Sequence, residues 1–194
     1  VGGLADVVGS LPFALQSFGH DVRILLPYYG SLREKQLNPQ LVAGPFSVSV
    51  LGKKHEIRVV QTALPPHQTP LYLLDWPGQF AGDAYDTKQD QEHIEEGVRR
   101  FIIWSWVVAQ ILPKLPWKPE FLHLHDWHSA AIPAFAQAQN ISCPPSLLTI
   151  HNLSIQGRWN AERLSQWIPV DVHTTPSLRL RDATGDINMM QLGI

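Results

Sequence analysis

The chain has 194 residues, enough for one large domain or slightly more with a sizeable core. Its 44 % hydrophobic and 16 % charged content is that of a globular protein, and 15 basic against 17 acidic side chains leave no basic footprint for nucleic acid or an anionic membrane. A single cysteine, Cys143, cannot pair within the chain, and no apolar run has the length of a membrane span. The opening stretch, Val1-Gly-Gly-Leu-Ala-Asp-Val-Val-Gly-Ser10, becomes helical in pattern at once. Leu4, Val7, Val8, Leu11, Ala14, Leu15 and Phe18 fall on one helix face, and Gly19 is a stop signal. No secretory leader is visible, and with no initiator Met before Val1 the expectation is a natural N-terminus further upstream. The pair Gly2-Gly3 at a helix start lets a ligand approach the backbone, where free N–H groups suit a phosphate. Asp6 in the first turn complements the helix dipole. From spacing alone the blander reading is favoured: a tight turn at Gly2-Gly3 and an ordinary helix-start carboxylate at Asp6.

Asp21-Val-Arg-Ile-Leu-Leu-Pro27 reads as a short buried strand. Phe46 to Leu51 alternates, Gly52-Lys-Lys interrupts, and His55 to Val60 alternates again, the signature of a hairpin inserted near 46–60. Leu71 to Asp75 is a further strand, and Gly78 to Asp90, carrying Tyr85, reads as a surface loop. A helical pattern runs from Gln91 to Leu112, apolar around so much of its circumference that burial is expected from Ile94 onward. Pro113, Pro116 and Pro119 stop it.

Phe121-Leu-His-Leu-His-Asp126 is a strand ending in polar groups, and Trp127 opens a helix through about Ala138. Ser146 to Ile150 repeats the plan, with His151-Asn152 at its end. Strands alternating with helices predict an α/β fold, a Rossmann-like parallel sheet with helices on both faces. Ligands collect at the carboxyl ends of such strands, where Asp126, His128, His151 and Asn152 all fall. Each histidine taken singly is more readily a structural one. A rival pattern runs through His123, His125 and His128, close to the H-x-H-x-D-H of metallo-β-lactamase-like hydrolases. Its Asp is one position early and the glycine-punctuated β-rich lead-in is missing, so no metal is expected.

Four motifs in order carry a resemblance: Val1 to Pro12, Gly19 to Pro27, His123-Leu-His-Asp-Trp-His128 and Thr149-Ile-His-Asn-Leu-Ser-Ile-Gln-Gly157. Together they resemble the bacterial glycogen synthase and plant starch synthase family over essentially the whole chain, down to Gly185–Gly193. The resemblance implies the N-terminal half of a twin-Rossmann, GT-B-type glycosyltransferase. Such an enzyme moves glucose from ADP-glucose to the non-reducing end of an α-1,4-glucan, with retention and without a metal or other cofactor. On it, Gly2 and Gly3 face the donor diphosphate and Asp6 lies beside the transferred sugar. Asp126 lies in the acceptor pocket with Trp127 and His128 beside it, His151 contacts the reacting sugar with Asn152 following, and Tyr85 matches an acceptor-side tyrosine loosely. His151 and Asp126 are the expected catalytic pair.

Departures qualify the resemblance. A family lysine precedes the residue matching Val1, a lysine stands where this chain has Gln191, and a second, nucleotide-binding domain follows. The 194 residues are therefore expected to form most of an N-terminal domain, inactive alone and prone to associate with itself. A glucan-binding half-synthase without activity is the alternative role. The implied partners are a sugar nucleotide and a glucan, with no nucleic acid and no membrane, in bacterial cytoplasm or a plastid.

Overall fold

The computed structural model describes residues 3–35, 37–83, 91–178, 181–182 and 184–194, with the backbone alone for 91–93. Two compact units emerge, Val1–Phe46 with Glu56–Ala84, and Ser47–His55 with Tyr85–Ile194.

In the first unit, helix α1 (Gly3–Ser17) leads to strand β1 (Ile24–Pro27) and a single turn, α2 (Gly30–Arg33). The long hairpin strands β2 (Gln40–Val50) and β3 (Lys53–Leu64), whose residues 47–55 belong to the second unit, and then β4 (Thr69–Asp75) complete a sheet of order β1-β4-β3-β2. β4 runs parallel to β1, Ile24 opposite Leu71 and Pro27 opposite Leu74, and antiparallel to β3. The run Leu71-Tyr-Leu-Leu74 is buried throughout because β4 is an inner strand with both faces covered. Ile24, Tyr28, Val60, Leu71 and Leu73 form one cluster, onto which Val8 of α1 packs. Thr69 Oγ1 donates to Gln16 Oε1 at 2.8 Å, and Phe13 stacks on His67 at 3.5 Å. Ala14 and Phe18, placed by periodicity on the apolar face, are both exposed, Phe18 by 81 %.

The hairpin is longer than its alternating stretches suggest, and its turn is different. Leu51 (φ 52) and Gly52 (φ 69) make the two-residue turn, and Lys53-Lys54 already belong to β3. Two consecutive positive φ values mark a type I′ turn, whose twist matches that of the strands it joins.

The second unit is built on α3 (Gln91–Ile111). Its buried residues begin in earnest at Val98; Ile94, expected inside, is 49 % exposed. Strands β5 (Leu122–His125) and β6 (Ser146–Thr149) pair in parallel, with His125 opposite Thr149. The single helix expected from Trp127 to Ala138 is two, α4 (Asp126–Ala130) and α5 (Ile132–Ala138). Pro133 in the first turn of α5 has no N–H to continue the ladder, so Ala131 becomes a joint. α3 packs against both, with Trp106 edge-on to Phe135 at 5.6 Å. A short ladder of β7 (Arg158–Trp159) and β8 (Ile187–Asn188) and helix α6 (Ala161–Trp167) complete the unit. The Asn160 side chain caps α6 by accepting from the N–H groups of Glu162 and Arg163.

The mixed α/β architecture with parallel strand pairs and helices matches expectation, with a larger antiparallel share from the hairpin. Among the described residues no helix is long and apolar enough to cross a membrane.

Candidate functional site

The expected site residues fall in both units. In the first, Gly3 opens α1 and Asp6 lies in its first turn, both exposed. A Cβ added at Gly3 would meet nothing within 4 Å, so the fold itself makes no demand for glycine there. Gly2 and Tyr85 lie outside the described residues.

In the second unit the ends of β5 and β6 are joined side chain to backbone. Asp126 leaves β5 with φ 54, a left-handed conformation that Asp tolerates better than most residues. This swing carries its buried carboxylate across to the neighbouring strand end. There Oδ1 accepts from the backbone N–H of His151 at 2.7 Å and of Asn152 at 3.2 Å. The Asn152 side chain in turn accepts from the N–H of Ser154 at 3.0 Å, tightening the following turn. Ser129 ties α4 back to β5: its hydroxyl accepts from the N–H of His125 at 2.8 Å and donates to the His125 carbonyl at 3.0 Å.

Three imidazoles line up beside this loop. His123 and His125 are two apart on β5 and so share a face. Their rings stack at 4.3 Å, and His125 stacks on His151 with centroids 5.3 Å apart. His125 Nδ1 is 3.0 Å from His151 Nε2, and His123 Nε2 is 2.7 Å from Thr149 Oγ1. Burial pushes the His125 pKa down to about 4, helped by His123 and His151 and opposed by Asp126. His123 is lowered by the same desolvation and by His151. Both rings are therefore neutral near pH 7.

Trp127 and His128 form the back of the site. Trp127 is buried, edge-on to Phe101 at 5.5 Å and stacked on His128 at 4.3 Å. The His128 carbonyl accepts from Ser105, itself fully buried, at 3.0 Å. Burial lowers the His128 pKa to about 4, against the pull of Asp126 and with the push of Arg100. The buried Trp127 supports the loop from behind. A Cβ on Gly157 (φ 62) would run into the Trp127 ring, so only glycine lets the end of the His151 loop lie against it.

The metallohydrolase pattern does not come together in this geometry. His123 is bonded to Thr149, His125 faces His151, and His128 packs on Phe101 at 4.5 Å. Among the described residues no group of three His, Cys, Asp or Glu is placed to hold a metal ion. The sequence offers His125 only as a metal ligand in the rival pattern and marks no site role for Thr149, Ser129 or Gly157. His125 was within reach, since strand alternation puts it beside His123; the others need the β5–β6 register and the Trp127 contact.

Comparison with known proteins gives the family. All of residues 1–194 match the family model described as starch synthase catalytic domain. The chain belongs to the starch synthase catalytic domain family. A glycogen synthase of Gloeobacter violaceus is 38 % identical over 159 residues, covering 81 % of this chain and 31 % of that protein. Glycogen synthase 2 of Geobacter sulfurreducens is 31 % identical over 197 residues, covering 98 % of this chain and 39 % of that one. The solved catalytic domain of starch synthase IV from Arabidopsis thaliana, bound to ADP and acarbose, superposes with a TM-score of 0.75 at 26 % identity. That match covers 100 % of this chain and 40 % of the other. This starch synthase family chain thus spans about a third of the length of the curated relatives it matches.

Proposed function

We propose that this chain supplies residues to the active site of a retaining glycosyltransferase, which moves glucose from ADP-glucose to the non-reducing end of an α-1,4-glucan without a metal. The observation that carries the reading is the Asp126 carboxylate gripping the His151 and Asn152 amides, at the carboxyl ends of two parallel strands. Strand ends of this kind are where α/β sheets present side chains to ligands. The starch synthase IV structure was solved with ADP, the group that departs when ADP-glucose is the donor.

Transfer from a sugar nucleotide needs charge stabilised on the departing diphosphate and hydroxyls held on an oxocarbenium-like sugar. The start of α1, with Gly2 and Gly3, offers backbone N–H groups to the diphosphate, and Asp6 lies beside the sugar. His151 and Asn152 hold the sugar, Asp126 holds them, and the family resemblance gives Tyr85 an acceptor-side role. Trp127 and His128 back the loop and keep water from it. The partners are the sugar nucleotide and the glucan, and the compartment is bacterial cytoplasm or a plastid.

The test is incorporation of labelled glucose from ADP-glucose into glycogen. A polypeptide joining this chain to a nucleotide-binding second domain is expected to transfer glucose, and the 194 residues alone are not. In the joined protein His151→Ala and Asp126→Ala should each lower the rate by about 10²-fold or more. Full activity in His151→Ala would overturn the reading.

A further inference from the structure

The loop that carries His151 is held at its far end as well as by Asp126. The Gln191 N–H donates to Asn188 Oδ1 at 3.2 Å, and Asn188 Nδ2 donates to Gln156 Oε1 at 2.6 Å. Gln156 Nε2 in turn donates to the Leu153 carbonyl at 2.8 Å. We infer that Gln156 and Asn188 are positioning residues for the transfer. They form a relay of two amide side chains that ties the loop bearing His151 and Asn152 to the end of β8.

The backbone settles the direction of the relay at both ends. The N–H of Gln191 can only donate, and the carbonyl of Leu153 can only accept. Asn188 must therefore turn its oxygen to Gln191 and its nitrogen to Gln156. That leaves Gln156 its oxygen for Asn188 and its nitrogen for Leu153. Arg158 adds a second donor to the same Gln156 oxygen at 3.2 Å. Asn188 is buried, so its amide would be costly to leave unpaired. The Gln156 carbonyl accepts from the Met190 N–H at 3.1 Å, which fixes the root of the side chain. Asp126 takes the N–H groups of His151 and Asn152, and Asn152 takes that of Ser154. With Gln156 on Leu153, each of the four residues 151–154 has one backbone group held. Packing does little there, since Leu153 and Ile155 are 63 % and 56 % exposed, so these polar contacts set the shape of the loop.

The inference rests on His151 and Asn152 meeting the transferred sugar. Its first readout needs no substrate: backbone amide exchange in the 194-residue chain. Gln156→Met keeps the length of the side chain and removes both contacts. Gln156→Glu keeps an oxygen for Asn188 and sets a second one against the Leu153 carbonyl. Both should quicken exchange at His151, Asn152 and Ser154 by about tenfold, with α3 and α5 unchanged. In the joined enzyme kcat should fall on the order of 10-fold in both, with KM for glucan little changed. Exchange that quickens as much in α3 and α5 as in the loop would assign the relay to the fold at large and overturn the inference. Unchanged exchange in the loop, or a faster loop with the parental kcat, would also sink it and leave glucosyl transfer standing. Full activity in His151→Ala would sink the transfer reading and leave the exchange result intact.

Discussion

The start of α1 and the joined ends of β5 and β6 are both short polar motifs at element boundaries, but they are built in opposite ways. At the helix start Gly3 and Asp6 are exposed, and a side chain at Gly3 would meet nothing. At the strand ends nearly every polar group is spoken for: Asp126 by two amides, His125 by His151 and Ser129, His123 by Thr149. The first motif makes little use of the fold around it, and the second is assembled by the fold.

Breaking the packed motif should have the largest effect on stability. Gly157 has φ 62, and a Cβ there would strike the Trp127 ring and come within 3.1 Å of Met189 Cβ. Gly157→Ala combines left-handed strain with overpacking, together about 4 kcal/mol. Urea unfolding of the chain should show the loss, and an unchanged midpoint would mean that the loop does not lie against Trp127.

Acid tests the same region by another route. His128 is buried and neutral, with its pKa lowered to about 4 from an ordinary value of 6.5. The unfolded chain binds a proton at this ring between those two values and the folded chain does not. Stability is therefore full above pH 6.5 and is lost as pH falls toward about 4. The gap corresponds to about 3 kcal/mol, at about 1.4 kcal/mol per pH unit. His125, half-buried, adds in the same direction by less. Unfolding midpoints measured from pH 7.5 down to 4.5 should fall, and His128→Leu should flatten the slope. A His128→Leu variant with the full slope would place the effect elsewhere.

A milder change isolates the charge at position 126. Asn keeps an acceptor oxygen and tolerates φ 54, so Asp126→Asn removes the charge alone. Hydrogen bonds to a charged acceptor are worth more than neutral ones, by about 1 kcal/mol here. Amide exchange at His151 and Asn152 should quicken by about fivefold, with little change elsewhere in the unit.

Much of this was legible in the chain. Strand and helix alternation gave the α/β class, and the position of polar residues after apolar runs put Asp126, His151 and Asn152 at strand ends. Where legibility ended, a tertiary cause can be named. Phe18 fits the helical period, yet nothing covers it, because periodicity says which residues share a face and not how much of the face is packed. Pro133 split a helix whose apolar pattern continues through it. Leu51 entered the turn in place of Lys53 because a type I′ turn takes its two residues from wherever the strand register ends. The His125–His151 contact depended on β5–β6 pairing between residues 26 apart, which no local pattern encodes.

The smallest expected effect on stability is at Gly3, and it bears most directly on the contrast between the two motifs. Nothing in the fold lies within 4 Å of a Cβ at this position, and no positive φ is required of it. Alanine favours helix over glycine, so Gly3→Ala in the first turn of α1 should leave stability unchanged or raise it by about 0.5 kcal/mol. On the proposed reading the same methyl group would stand where the donor diphosphate comes against backbone N–H groups, since close approach is what glycine allows at such a site. In the joined enzyme, transfer from ADP-glucose should therefore fall by about 10²-fold while the unfolding midpoint holds. Gly157→Ala, by contrast, should lose stability and activity together. If Gly3→Ala instead unfolds the chain, the helix start is structural after all. If it changes neither stability nor transfer, the diphosphate does not sit at the start of α1.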